Sequence, residues 1–240
     1  MQQFSNLTSQ AQIGTIDFRD VMRRVYLWVA LGLLVGFGTA TVFAQIANQQ
    51  LQAGNPILLS RTVSLIAIVA YLGVGLTFNV VVQRSSIAVG TAMYFLFTAI
   101  FGFMISSIFL VYTTSSITTT LVVTAAMFGL MAILGYTTNI DLSKVGSIAY
   151  MALIGVIVAS IANFFLHNAT IYWVITYAGI LLFCALTAYD VQSIKRRAIM
   201  ATRNGGTMEV SRLALIGAFA LFLDFVNLFL FLLRIFGRSR

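Results

Sequence analysis

The chain has 240 residues, 60% of them hydrophobic and 8% charged, with a formal net charge of +8 and a mean hydropathy of +0.98, where a soluble domain carries about a quarter charged residues. So little charge cannot cover a water-exposed surface, and a single Pro and a single Cys (Cys184) leave neither a disulfide framework nor a cysteine-ligated metal site. The basic balance does not point to nucleic acid, because nearly all Arg and Lys stand at the edges of apolar runs rather than on one polar face.

Met1 to Asp20 are polar and mixed in charge and lack the short apolar stretch of a secretory signal. They are expected to form a soluble tail (1–20), followed by one polytopic transmembrane domain over 21–240. A bilayer core about 30 Å thick needs about 20 apolar residues per helix. Runs of that size extend from Val25 to Ala44, Ile57 to Val82, Ile87 to Tyr112, Ile117 to Tyr136, Val145 to Leu166, Ile171 to Tyr189 and Leu213 to Leu233. Barrel strands would alternate polar and apolar residues, and stretches such as Leu121-Val122-Val123-Thr124-Ala125-Ala126-Met127-Phe128 do not. The fold class expected is therefore an all-α membrane protein with seven spans. Connections are short except for a polar segment between Val191 and Arg212, which reads as a loop.

Arg and Lys in the loops orient the chain. With the N-terminus cytoplasmic, that side would hold Arg19, Arg23, Arg24, Arg84, Lys144, Lys195, Arg196, Arg197, Arg203 and Arg212. Arg61 would lie opposite, as would Arg234, Arg238 and Arg240 if the last run crosses completely. The alternative is six spans plus a re-entrant C-terminal segment. A full crossing is preferred, because the last run is long enough and contains no Pro, and its one Gly (Gly217) stands well before its midpoint.

Most polar features have structural readings. Trp28 and Trp173 sit near span ends as interface anchors. Gly32 and Gly36, and Gly73 and Gly75, suit close helix packing. His167 is the only histidine, no phosphate-binding G-x-x-x-x-G-K-[ST] occurs, and both lysines (Lys144 and Lys195) lie outside the spans. Metalloprotease, nucleotidase and retinal chemistry are thereby excluded, and no cofactor is expected. Two aspartates resist a structural reading. Asp224 lies eleven residues into the last run, about 16 Å deep, where even the lowest scales charge about 3 kcal/mol for an acid. Asp190 ends the sixth run, and Arg84 ends the second on the same expected side.

At these residues the chain resembles a known family. The stretch Leu186-Thr187-Ala188-Tyr189-Asp190-Val191-Gln192-Ser193-Ile194-Lys195, then Leu223-Asp224-Phe225-Val226-Asn227-Leu228-Phe229 and Leu232-Leu233-Arg234, is similar to the bacterial branch of the transmembrane Bax-inhibitor-motif family. Tyr112-Thr113, Ser116-Ile117, Gly135-Tyr136-Thr137 and Asp141-Leu142-Ser143 match its middle region. The resemblance implies seven helices with the last one central and wrapped by the other six. It also implies a hydrogen-bonded pair of Asp190 and Asp224 that Arg84 engages, and a pH-dependent calcium leak. Two departures stand out. Leu72-Gly73-Val74 offers no acid midway along the second helix, where some members carry one, and the connection between Asp190 and Asp224 is longer than in compact bacterial members.

Two carboxylates sharing one hydrogen bond in low dielectric cannot both ionise cheaply, so such a pair retains a proton and is sensitive to pH. Calcium prefers six to eight oxygens, and Asp190 with Asp224 supply only part of that, which suits the weak, transient cation contact of a leak. The function expected is a passive, pH-sensitive calcium leak in the bacterial inner membrane, not an enzyme. The other reading is a regulatory protein whose tail or 191–212 segment engages a membrane-bound ATP-dependent protease, as relatives in this family do. An intramembrane aspartyl protease is disfavoured, because Leu221-Phe222-Leu223-Asp224 places bulk where such enzymes need Gly-x-Gly-Asp.

Overall fold

A computed structural model describes residues 18–204 and 207–239. Its helices are α1 (Phe18–Gln52), α2 (Arg61–Arg84), α3 (Ile87–Ile105), α4 (Ile108–Val111), α5 (Thr114–Thr137), α6 (Ser143–Leu166), α7 (Ala169–Asn204) and α8 (Thr207–Phe236), with a single 3₁₀ turn at Ile57–Leu59. Among the described residues seven segments are long and apolar enough to cross a membrane, α3 and α4 together forming one of them. Short polar caps set the starts. Ser60, Ser86 and Thr113 each accept a hydrogen bond from the backbone N–H three residues on, at the openings of α2, α3 and α5. His167, in the left-handed conformation at φ 51°, ends α6.

The last helix is the core. Of its most apolar window 72% is buried, against 39% or less for every other span. It packs against α1, α2, α3, α5 and α7, whereas α6 rests mainly on α7 and buries little of its surface. The central position expected for the C-terminal helix is thus met, but five helices rather than six enclose it. The reason lies in α6, whose Ile148, Met151, Ile154, Ile157, Val158 and Ile161 are all exposed and read as lipid-facing. Around α8 the packing is aromatic on one side. Phe219 stacks on Phe78 with centroids 4.1 Å apart, and Phe222 meets Phe97 and Phe101 edge-on.

Because lipid is as apolar as leucine, helices in a membrane associate through close packing. The Gly32 and Gly36 pair serves that purpose. The Tyr94 hydroxyl, donating to the Trp28 carbonyl at 2.8 Å, fills the space a side chain on Gly32 would need. Gly102 of α3 abuts the Gly36 carbonyl so closely that a Cβ there would overlap it. Gly73, by contrast, faces open space and has no packing partner.

Two expectations change in detail. The polar segment between Val191 and Arg212 is not a loop, because α7 continues to Asn204 and α8 begins at Thr207. Its polar residues conceal a helical stripe, Val191, Ile194, Ala198 and Ala201, all buried. At the N-terminus, Phe18, Arg19 and Asp20 already belong to α1, and the rest of the expected tail lies outside the described residues.

The C-terminal segment returns no hairpin. α8 is one unbroken helix of 30 residues, and beyond it the Thr113 N–H donates to the Arg238 carbonyl while the Arg238 N–H donates to Ser116 Oγ. Thr113 and Ser116 lie at the end of the bundle away from the start of α1, so the last helix crosses completely. In a Cys184→Ser background, cysteines placed at Ser239 and at Asn139, between α5 and α6, should therefore react with impermeant maleimide from opposite faces of the membrane. Labelling of both from one face, in intact cells and in inverted vesicles, would rule out the crossing.

Candidate functional site

Asp190 on α7 and Asp224 on α8 are 8% and 4% exposed and line one cavity of about 350 Å³. Their levels agree because α7 and α8 are antiparallel neighbours. Asp190 stands 14 residues before Asn204 and Asp224 stands 17 after Thr207, a difference of about 4.5 Å along the axes at 1.5 Å per residue. Measured from the ends of the apolar runs they would be mismatched; measured from the ends of the helices they are not. The backbone at this point is held tightly. Gly135 of α5 lies against the Ala188 carbonyl and Gly146 of α6 against the Tyr189 ring, so that a side chain at either position would collide with the turn that carries Asp190.

The two acids differ in their partners. The Tyr150 hydroxyl on α6 donates to Asp190 Oδ1 at 3.3 Å. Asp224 Oδ2 is buried with no hydrogen-bond partner. The expected hydrogen bond between the two carboxylates is absent among the described residues: they face one cavity as like charges, and Arg197, of opposite charge, lines it with them. Asn79 of α2 and Ser193 and Arg197 of α7 complete the polar lining toward the end of the bundle where α1 begins. Toward the other end, Leu228, Phe229, Leu232 and Leu233 are buried.

Arg84 does not join the acids. It is exposed at the last turn of α2 and does not line the cavity. The arginine at the cavity is Arg197, which the sequence offered only among the basic residues of the expected cytoplasmic side. Tyr150 and Asn79 were equally hard to single out. Tyr150 reads as an aromatic at the start of an apolar run, although Asn79, a lone amide between Phe78 and Val80, carried a signal in its cost within a span. Among the described residues no group of three or more His, Cys, Asp and Glu side chains is placed to hold a metal ion. Any cation at the acids would meet carboxylate, hydroxyl and amide oxygens from Asp190, Asp224, Tyr150, Ser193 and Asn79.

A latch beside the cavity fixes α6 to α7. Buried Gln192 donates through Nε2 to the Ile140 carbonyl at 2.8 Å and accepts at Oε1 from the Leu142 N–H at 2.9 Å and from Arg196 at 2.7 Å. Arg196 also pairs with Asp141 at 2.7 Å. Hydrogen bonds from the Ser143 hydroxyl and amide, and then from Arg196, hold the exposed Asp141 carboxyl well below the usual carboxylate range.

A family model described as "Inhibitor of apoptosis-promoting Bax1" matches residues 18–240. The chain is 43% identical over 221 residues to the inner membrane protein YbhL of Escherichia coli, covering 91% of this chain and 92% of that one. It is 36% identical over 220 residues to an uncharacterized protein of Borreliella burgdorferi, covering 91% and 92%. With an uncharacterized protein of Rickettsia prowazekii it shares 33% over 237 residues, covering 98% and 97%.

The latch is testable by substitution. Gln192→Leu removes both hydrogen bonds that tie α7 to the turn before α6 and should cost about 0.5–1.5 kcal/mol for each, seen as faster hydrogen exchange across residues 140–146. Asp141→Asn should produce a smaller loosening. Since the Asp141 carboxyl is held below its unfolded value, its contribution is complete above that value and disappears as pH falls through the folded one. The difference between parent and Asp141→Asn should thus be level from neutral pH to weak acid and vanish only in strong acid. Exchange unchanged in Gln192→Leu would refute the latch.

Proposed function

Because the chain belongs to the Inhibitor of apoptosis-promoting Bax1 family, we propose that its acid pair gates a passive, pH-sensitive cation leak, with calcium as the permeant ion, across the bacterial inner membrane. The observation that carries this reading is the shared cavity of Asp190 and Asp224, two acids more than nine-tenths buried in a bundle whose outer surface is apolar. Carboxylates placed this way serve no evident packing purpose. Intramembrane acids face water-filled paths or partners because hydrocarbon penalises them by about 3 kcal/mol or more.

The chemistry is proton against cation. With a proton held between them, the acids carry at most one negative charge, and the apolar layer at Leu228 and Phe229 stays packed beneath them. Loss of that proton leaves two like charges in one cavity of low dielectric, a state relieved by water, by a cation or by separation of α7 from α8. The Tyr150 hydroxyl donates to Asp190, and Arg197 lines the same cavity. Asp224 Oδ2 has no such partner. Few oxygens surround the pair, so a divalent ion passing it is held weakly and released. In this reading the loops rich in Arg and Lys, and with them the N-terminus and Arg197, face the cytoplasm.

Purified protein in liposomes, with calcium, potassium and proton flux followed across a pH series, tests the reading. Flux that responds to pH in the parent should lose that response in Asp224→Asn and in Asp190→Asn. Tyr150→Phe should keep the response but displace its midpoint, because the hydrogen bond to Asp190 alone is removed. Deletion of residues 1–17 should leave flux unchanged, whereas a protein acting through a partner bound to its tail would show no flux of its own. Parent-like pH profiles in both aspartate variants would refute the gate.

A further inference from the structure

A second cavity lies apart from the acids, on the outer flank of the bundle between α1 and α5. Its volume is about 880 Å³. Met22, Tyr26 and Leu27 form one wall, and Phe128, Ala132 and Ile133 the other. Phe128 closes its inner side by meeting Phe225 of α8 edge-on. Along α1 the cavity extends from Arg19 to Leu27 and along α5 from Phe128 to Thr137, about 12–14 Å at 1.5 Å per residue. That is close to one leaflet of a hydrocarbon core about 30 Å thick.

The groove has a polar end and an apolar end. Arg19 and Arg23, one turn apart on α1, both exposed, line it where α1 begins. On the opposite wall Tyr136 receives Lys195, whose ammonium donates to the Tyr136 carbonyl at 2.7 Å and lies 4.7 Å from the ring centroid. Asp20, the one acid on this turn of α1, does not line the groove. Deeper in, the lining is aliphatic and aromatic. Open to the bilayer on its outer side, so apolar a groove excludes water and takes acyl chain.

We propose that this groove binds one anionic phospholipid, its acyl chain between α1 and α5 and its phosphate against Arg19 and Arg23. The fit rests on three independent properties: depth of one leaflet, an apolar lining, and cationic side chains confined to the interfacial end. Guanidinium groups hold phosphate through paired N–H donors. Gly129 supplies the means of testing the chain's position, because a side chain built there meets no atom within 4 Å and projects into the open groove.

The test is native mass spectrometry of the purified full chain exposed to equal amounts of phosphatidylglycerol and phosphatidylcholine. Each juxtamembrane arginine favours anionic lipid about fivefold, so the parent should retain phosphatidylglycerol about 25-fold over phosphatidylcholine. The double variant Arg19→Gln/Arg23→Gln should retain the two lipids equally; both side chains are exposed and Arg24 remains to orient the helix. Arg19→Lys/Arg23→Lys should keep most of the preference, which separates charge from any effect on folding. Gly129→Phe should expel the bound lipid of either kind. Equal retention by the parent would reduce the groove to ordinary annular contact, and a preference that survives the charge removal or the filling would overturn the site.

Discussion

A carboxylic acid at the centre of a bilayer must be surrounded by protein, and the architecture follows from meeting that demand at Asp224. The acid sits on the last helix, and that helix alone is buried over most of its length. Five helices enclose it. Each leaves its outer face to lipid, which is why long apolar side chains such as Leu34, Val69, Leu76 and Phe165 are exposed without harm. In water this distribution would be an aggregation hazard. In hydrocarbon it costs nothing, and the few polar contacts are freed to organise one site.

Those contacts fall on α7. It carries Asp190, the Gln192 and Arg196 latch to the turn before α6, Lys195 against the end of α5, and Arg197 at the acid cavity. About two turns of one helix, from Asp190 to Arg197, thereby reach the acids, α5 and α6. Close approach at Gly135 and Gly146 presses the same helix against both neighbours at the level of Tyr189. A movement of α7 relative to α8 therefore cannot stay local: it would disturb the latch, the Lys195 cap and the acid pair together.

Much of the fold was legible in the sequence, because hydrocarbon imposes a requirement on every spanning segment and the apolar runs state it directly. The depth of Asp224 in its run likewise announced a central helix. The segment after Val191 was misread for a physical reason: its charged residues dominate any running average, while its apolar residues recur at helical spacing and are buried. Arg84 was favoured over Arg197 through resemblance, yet it is exposed at the end of α2, and the arginine beside the acids is set by the extension of α7 that the averaging concealed. Tyr150 escaped notice because nothing in an apolar run records which aromatic hydroxyl will face an acid on another helix. Pairing across helices is a property of packing, not of order along the chain.

The central helix is also the last to be made. Synthesis proceeds from the N-terminus, so α1 to α7 enter the bilayer before the element on which five spans pack exists. Until α8 leaves the ribosome, Asp190 has no cavity, and Phe78, Phe97 and Phe128 have no ring on α8 to meet. The nascent bundle is a vestibule without its post. Asp224 then arrives among protein surfaces already assembled, and the cost of an acid against bare lipid is avoided by the order of birth. A chain cut short anywhere before α8 would not be a smaller version of this protein but an unfinished one, its inner aromatic faces left without the helix they pack against.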